Sequence, residues 1–156
     1  MINGNRVIRF AWPLFLCLLI ISCTGGNPAV KLGINNSKLA TCPASPNCVS
    51  SDAADADHHI EPFHLARSPV EVWRMTKTLV AALPRTKIIT AERNYLHAEC
   101  RSALFGFVDD LELHLRPEEK MMVVRSAARL GYADFGVNRK RVELLRSELL
   151  KNGVIE

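Results

Sequence analysis

YLHAECRSALFGFVDDLELHL, from Tyr95 to Leu115, is the stretch that decides the fold. In its first part Tyr95, His97, Glu99 and Arg101 alternate with Leu96, Ala98 and Cys100. In its second, Phe107, Leu111, Leu113 and Leu115 alternate with Asp110, Glu112, His114 and Arg116. Successive side chains of a strand point to opposite faces, so this period of two builds one apolar and one charged face. The strands run from Tyr95 to Ser102 and from Phe107 to Leu115, and the short Leu104-Phe105-Gly106 connection makes them antiparallel. Asp109 breaks the pattern. It falls on the apolar parity, where an unpaired carboxylate is costly, so it is expected to be buried against an Arg.

Working outward, Lys87 to Glu92 and Met121 to Ala128 read as the flanking strands, joined through Arg93-Asn94 and through Arg116 to Glu119. Ahead of them, Ser68-Pro69-Val70-Glu71 is a helix start with a capping Ser, a Pro at the first helical position and a capping-box Glu. Val72, Trp73, Thr76, Leu79, Val80 and Leu83 share one helical face, and Pro84 stops the helix. Ile60 to Leu65 reads as a short strand before it. A last helix runs from Asn138 to Lys151, with Val142, Leu145 and Leu149 inward and Asn152-Gly153 at its end. The order β-α-β-β-β-β-α predicts an α+β domain: an antiparallel sheet of four to five strands with both helices on one face. That arrangement resembles one repeat of the TATA-binding-protein-like or helix-grip folds.

The N-terminus speaks to location. Arg6 and Arg9 precede an apolar run from Phe10 to Ile21, interrupted by Pro13, and no acidic residue occurs before Cys23. A run of twelve residues is too short for a bilayer core, which needs about 20, but it suits a secretory signal. Ile20-Ile21-Ser22-Cys23 resembles a bacterial lipobox, in which the Cys receives a diacylglycerol. The expected organisation is a signal peptide over residues 1–22, a flexible tether over 23–41 and one domain over 42–156. Thr24, rather than Asp, after the lipid-bearing Cys points to the outer membrane, facing the periplasm, in a host with two membranes. Multiple acyl chains anchor stably, because each buried CH₂ contributes about 0.8 kcal/mol.

Charge limits the partners. The chain carries 20 Lys and Arg against 16 Asp and Glu, and loss of Arg6 and Arg9 with the signal leaves 18 against 16. A net of +2 gives no argument for nucleic acid. Cys42 and Cys48 enclose a five-residue loop with two prolines, and an exported chain sits where disulfides persist, so a local disulfide is expected. Cys100 reads as a buried core thiol.

CPASPNCVSS (Cys42 to Ser51), YLHAECRS (Tyr95 to Ser102), FVDDLELHL (Phe107 to Leu115) and VRSAARLGYADFGVNRKRVELLR (Val124 to Arg146) resemble the domain of unknown function 1499 family. The resemblance spans the folded part of the chain. It implies a small exported lipoprotein or membrane-attached protein and carries no catalytic residue with it. Cys100 stands where a bulky apolar residue such as Phe is expected, which suits packing better than a catalytic thiol.

Three constellations could carry chemistry. Arg139-Lys140-Arg141 opens the last helix, where the helix dipole disfavours cations unless an anion is near. With Arg125, Arg129 and a capping Asn138, Arg139 could hold a carboxylate or phosphate. Internal pairing with Asp109, Asp110 or Asp134 is the stronger expectation. The second constellation is Asp109, Asp110 and His114, which could serve a metal-assisted or acid/base hydrolase only if a bulge turned both carboxylates to one side. The third, Asp55, Asp57, His58, His59, Glu61 and His64, matches no standard ligand spacing, and no metal or cofactor is expected. No GxSxG elbow, phosphate loop, HExxH or dinucleotide fingerprint occurs. The reading is a non-enzymatic envelope module that binds an envelope protein or a small anionic ligand; the alternatives are the hydrolase and a helix-grip lipid carrier.

Overall fold

The structure, a computed structural model, describes residues 31–156. The expected signal peptide, the lipidation site Cys23 and the first part of the expected tether lie outside the described residues. A small hairpin, β1 (Ile34–Asn35) and β2 (Lys38–Leu39), precedes the main body. Then follow β3 (Cys48–Ser50), β4 (Phe63–His64), α1 (Pro69–Ala82), β5 (Thr86–Ala91), β6 (Tyr95–Arg101), β7 (Val108–Arg116), β8 (Met121–Ala128) and α2 (Val137–Lys151). The main sheet is antiparallel in the order β3-β8-β7-β6-β5, and β4 also pairs with β8. Two short strands therefore complete the outer edge of β8, β3 against Arg125 to Ala127 and β4 against Met121 and Met122. This α+β sheet has six strands rather than four to five. The extra one is β3, three buried residues directly after the disulfide loop.

The alternation of Tyr95 to Leu115 sorts the faces. Leu96, Ala98, Cys100, Leu111, Leu113 and Leu115 face the helices and pack with Met122 and Val124 of β8. Val72, Trp73 and Val80 of α1 and Val142, Leu145 and Leu149 of α2 close the layer over them. Phe63, wholly buried, fills the β4 side, and Arg146 stacks over its ring at 4.6 Å. The space that a helix-grip carrier keeps open is thus occupied by side chains.

The ends of the elements have local causes. Ser68 caps α1 by accepting from the Glu71 amide while its hydroxyl donates to the Glu71 carboxylate at 2.6 Å. The start of α2 differs from expectation. Gly136 at φ 76° is the N-cap, and Asn138 lies inside the helix and buried. Asp134 does the capping, accepting from the amides of Gly136 at 3.0 Å and Asn138 at 2.8 Å. Residues 33–39, inside the expected tether, are held against the domain. The Gly33 amide donates to Glu112 at 2.7 Å and the Leu39 amide to Asp52 at 2.9 Å, which docks the hairpin onto the domain. The disulfide joins Cys42 and Cys48. No described helix is long and apolar enough to cross a membrane.

Candidate functional site

The charged face of the sheet carries a buried ionic network. Glu112, fully buried, accepts from Arg125 at 2.8 Å, from the Tyr95 hydroxyl at 2.8 Å and from the Gly33 amide at 2.7 Å. Glu112 and Arg125 face each other across the β7–β8 register. Beside them Asp110, also fully buried, bonds to His97 at 2.7 Å and to two nitrogens of Arg129 at 2.7 and 2.9 Å. Arg129 reaches on to Glu99 at 2.8 Å. Burial pushes the Asp110 carboxyl up, but hydrogen bonds from His97 and Arg129 outweigh it and hold the group below its usual range. The bond to Asp110 in turn raises Arg129, and burial followed by the bond to Glu112 raises the Tyr95 phenol. Each of these carboxylates is taken up by neighbouring cations and hydrogen-bond donors.

Asp109 points to the other face and is buried against Arg141, with 2.6 Å between oxygen and nitrogen. Arg141 also donates to Ser126 at 3.0 Å and Asn138 at 2.6 Å. Asp109 and Asp110 therefore do not converge, and no bulge interrupts β7 between them. His114 shares a face with Asp110 but stands four residues along the strand, roughly 13 Å away.

The four residues considered for an anion do not meet either. Arg125 and Arg129 belong to the charged face and are taken by Glu112 and Asp110. Asn138 is spent on Ser126, Asp134 and the Asn47 carbonyl. Arg139 donates to the carbonyls of Asp57 and His59, in the connection between β3 and β4. Of the acidic and histidine run, His58 pairs with Asp55 at 2.6 Å and His59 lies 3.4 Å from Glu61. Among the described residues no group of three or more such side chains is arranged to hold a metal.

What sequence reasoning missed lies at one end of the sheet. A cleft of about 340 Å³ opens between the end of α1, the start of β5, the end of β6 and the first turns of α2. Leu83, Val137 and Leu144 form apolar walls, Thr86 and Cys100 the floor, and Arg85, Arg101, Lys140 and Arg141 line it with positive charge. No acidic residue lines it. Arg141 is held by Asp109, Arg101 touches Glu99 at 3.2 Å, and Arg85 turns back to the Arg101 carbonyl at 3.1 Å. Burial raises the Cys100 thiol, so it stays protonated at neutral pH. The basic run at the head of α2 was the one available signal for this cleft. A second hollow, about 950 Å³, lies between the hairpin and Asp52 to Asp55 and borders Lys31, where the described residues begin.

A family model described as a protein of unknown function, DUF1499, matches residues 38–149. The chain belongs to the DUF1499 family. No curated protein matches it. The match begins at β2 and ends within α2, so it spans every charged residue of the ionic network and the whole lining of the basic cleft of this DUF1499 domain.

Proposed function

We propose that this protein is a lipid-anchored cell-envelope domain, exported and held to the membrane through Cys23, that binds rather than catalyses. Its ligand is a small anion bearing an apolar group, and its site is the cleft between α1, β6 and α2. The observation that carries the reading is the composition of that cleft: four cations, apolar walls and no carboxylate. An anion there meets the N-terminal dipole of a 15-residue helix as well as Lys140 and the guanidinium of Arg101. A volume near 340 Å³ is at the lower end for a small-molecule site. The lipobox-like N-terminus supports the location, and the Cys42–Cys48 disulfide suits an oxidising compartment.

The test uses the full chain, with hexyl phosphate and inorganic phosphate as probes in thermal melts and calorimetry. Hexyl phosphate at 100 times its dissociation constant should add about 2.7 kcal/mol, a rise of several degrees. The rise should vanish in Lys140→Glu and Arg101→Glu, both exposed and free of the core. No saturable binding of either probe would overturn the reading. Equal binding of inorganic phosphate would remove the apolar part of it.

A further inference from the structure

The end of the sheet beside that cleft has a second, larger property. The β6–β7 connection (102–107), closed by a bond from the Ser102 amide to the Phe107 carbonyl at 2.9 Å, lies beside the β8–α2 connection (129–136), whose Arg129 amide donates to the carbonyl of the adjoining Val108 at 3.1 Å. Both present large apolar side chains to solvent: Leu104, Phe105, Phe107, Leu130, Tyr132 and Phe135. Of the four phenylalanines among the described residues, three stand here and only Phe63 is in the core. Phe105 and Phe107 pack on each other at 5.6 Å, while Phe135 is 91% exposed.

Phe135 is also held at φ 55°, a left-handed conformation that bulky residues rarely take. The Asp134 cap below it and Gly136 after it fix that geometry. The loop therefore presents an aromatic ring outward at a conformational cost rather than letting it fold back. A contiguous apolar end of this kind marks an interaction surface.

Its charge says with what. Arg85, Arg101 and Lys140 are exposed around the loops, and the one acid within them, Asp134, is occupied by the α2 amides. Aromatic rings with a basic fringe are the composition of a segment that enters the headgroup region of a bilayer containing anionic lipid. Position agrees. Gly33 is docked on Glu112 and stands ten positions after Cys23. Ten residues reach at most about 35 Å, and four residues of β7 from Glu112 to Val108 cover roughly 13 Å. A domain tethered so closely holds its apolar end within reach of the surface at high effective concentration.

We infer that loops 102–107 and 129–136 form a membrane-docking tip, inserting Phe105, Phe135 and their neighbours into the headgroup region of the bilayer to which the chain is anchored. This rests on the anchor proposed above.

The test keeps the two apart. Full-length chains carrying Phe105→Cys, Phe135→Cys or, at the opposite end of the domain, Val70→Cys are labelled with an environment-sensitive dye. They are reconstituted into vesicles of phosphatidylethanolamine and phosphatidylglycerol. Flotation with the vesicles reads the anchor. Blue-shifted emission at 105 and 135, quenched severalfold by doxyl lipids while position 70 is unaffected, is the expected result, and it should weaken in pure phosphatidylcholine. Chains that float with all three dyes equally wet would overturn the tip and leave the anchor standing. Chains that do not float would overturn both. Dyes at 105 and 135 that are shielded without lipid, in a concentration-dependent way, would give the tip to a second copy of the chain and also overturn the proposal.

Discussion

The charged face of the sheet and its apolar end invert the usual distribution of side chains. On the face, Asp110, Glu112 and Arg125 are almost entirely out of water; at the end, Leu104, Phe105 and Phe135 are almost entirely in it. The buried ions pair with one another, and Nε of Arg125 alone among them lacks a partner among the described residues. Phe105 and Phe107 touch each other, and Phe135 stands 91% exposed among the described residues. Interaction potential is thus read from unmet groups, and among the described residues the exposed apolar side chains at one end are such groups. The contrast predicts that substitutions on the face damage folding and spare binding, while substitutions at the end do the reverse.

The largest effect is expected at Glu112. Its removal leaves buried Arg125, whose own Nε already has no partner among the described residues, without its carboxylate. Glu112→Ala should cost about 3 to 5 kcal/mol in urea unfolding, whereas Glu112→Gln, which keeps an acceptor for Tyr95 and Gly33, should cost less. A Glu112→Ala protein that unfolds with the parent would show that the network carries no stability and would erase the contrast. Asp109→Ala comes next. Arg141 keeps Ser126 and Asn138 as partners, so the cost should be smaller, about 2 to 3 kcal/mol.

Acid should read the face and not the end. Asp110 has a lowered carboxyl pKa in the folded state, so its contribution is complete above the unfolded value of about 3.9 and disappears as pH falls through the folded one. His114 is lowered by burial and by Arg116, so the folded state prefers it neutral. Its contribution is present above about 6.5 and shrinks as pH drops below that value. Urea midpoints should decline gently below pH 6.5 and steeply below pH 4. His114→Gln should remove the first decline, and Asp110→Asn should shrink the second.

How much of this the sequence disclosed depends on how local each cause is. Alternation from Tyr95 to Leu115 displayed both faces, because parity is a property of one strand. The register across β7 and β8 could have paired Glu112 with Arg125 in advance, since the Arg116↔Met121 turn fixes it. No local rule joins Asp109 to Arg141 across 32 residues, although its parity announced that some cation must come. Strand β3 was hidden by its brevity and by the prolines and disulfide before it. Asn138 looked like a cap because capping residues are judged by type; Gly136 at positive φ with Asp134 beneath it took the role. The tip was hidden because the two loops meet only in three dimensions, and each alone reads as an ordinary connection.

The smallest effect should be of opposite sign. Phe135 buries almost nothing, so its replacement removes no packing, and its φ of 55° suits glycine far better than an aromatic residue. Phe135→Gly should therefore leave stability unchanged or raise it by about 0.5 to 1 kcal/mol, relief of backbone strain being offset partly by the added freedom of the unfolded chain. At Phe105, where no strain is stored, Phe105→Ser should change stability by less than about 0.5 kcal/mol. If thermal melts showed either substitution to be strongly destabilising, the rings would be packed in solution, and the end of the sheet would be a second core rather than a surface awaiting a partner. If Phe135→Gly is stabilising, the domain holds an aromatic ring outward at the expense of its own stability. Such a local conflict between sequence and structure is where a function outside the fold itself is to be sought.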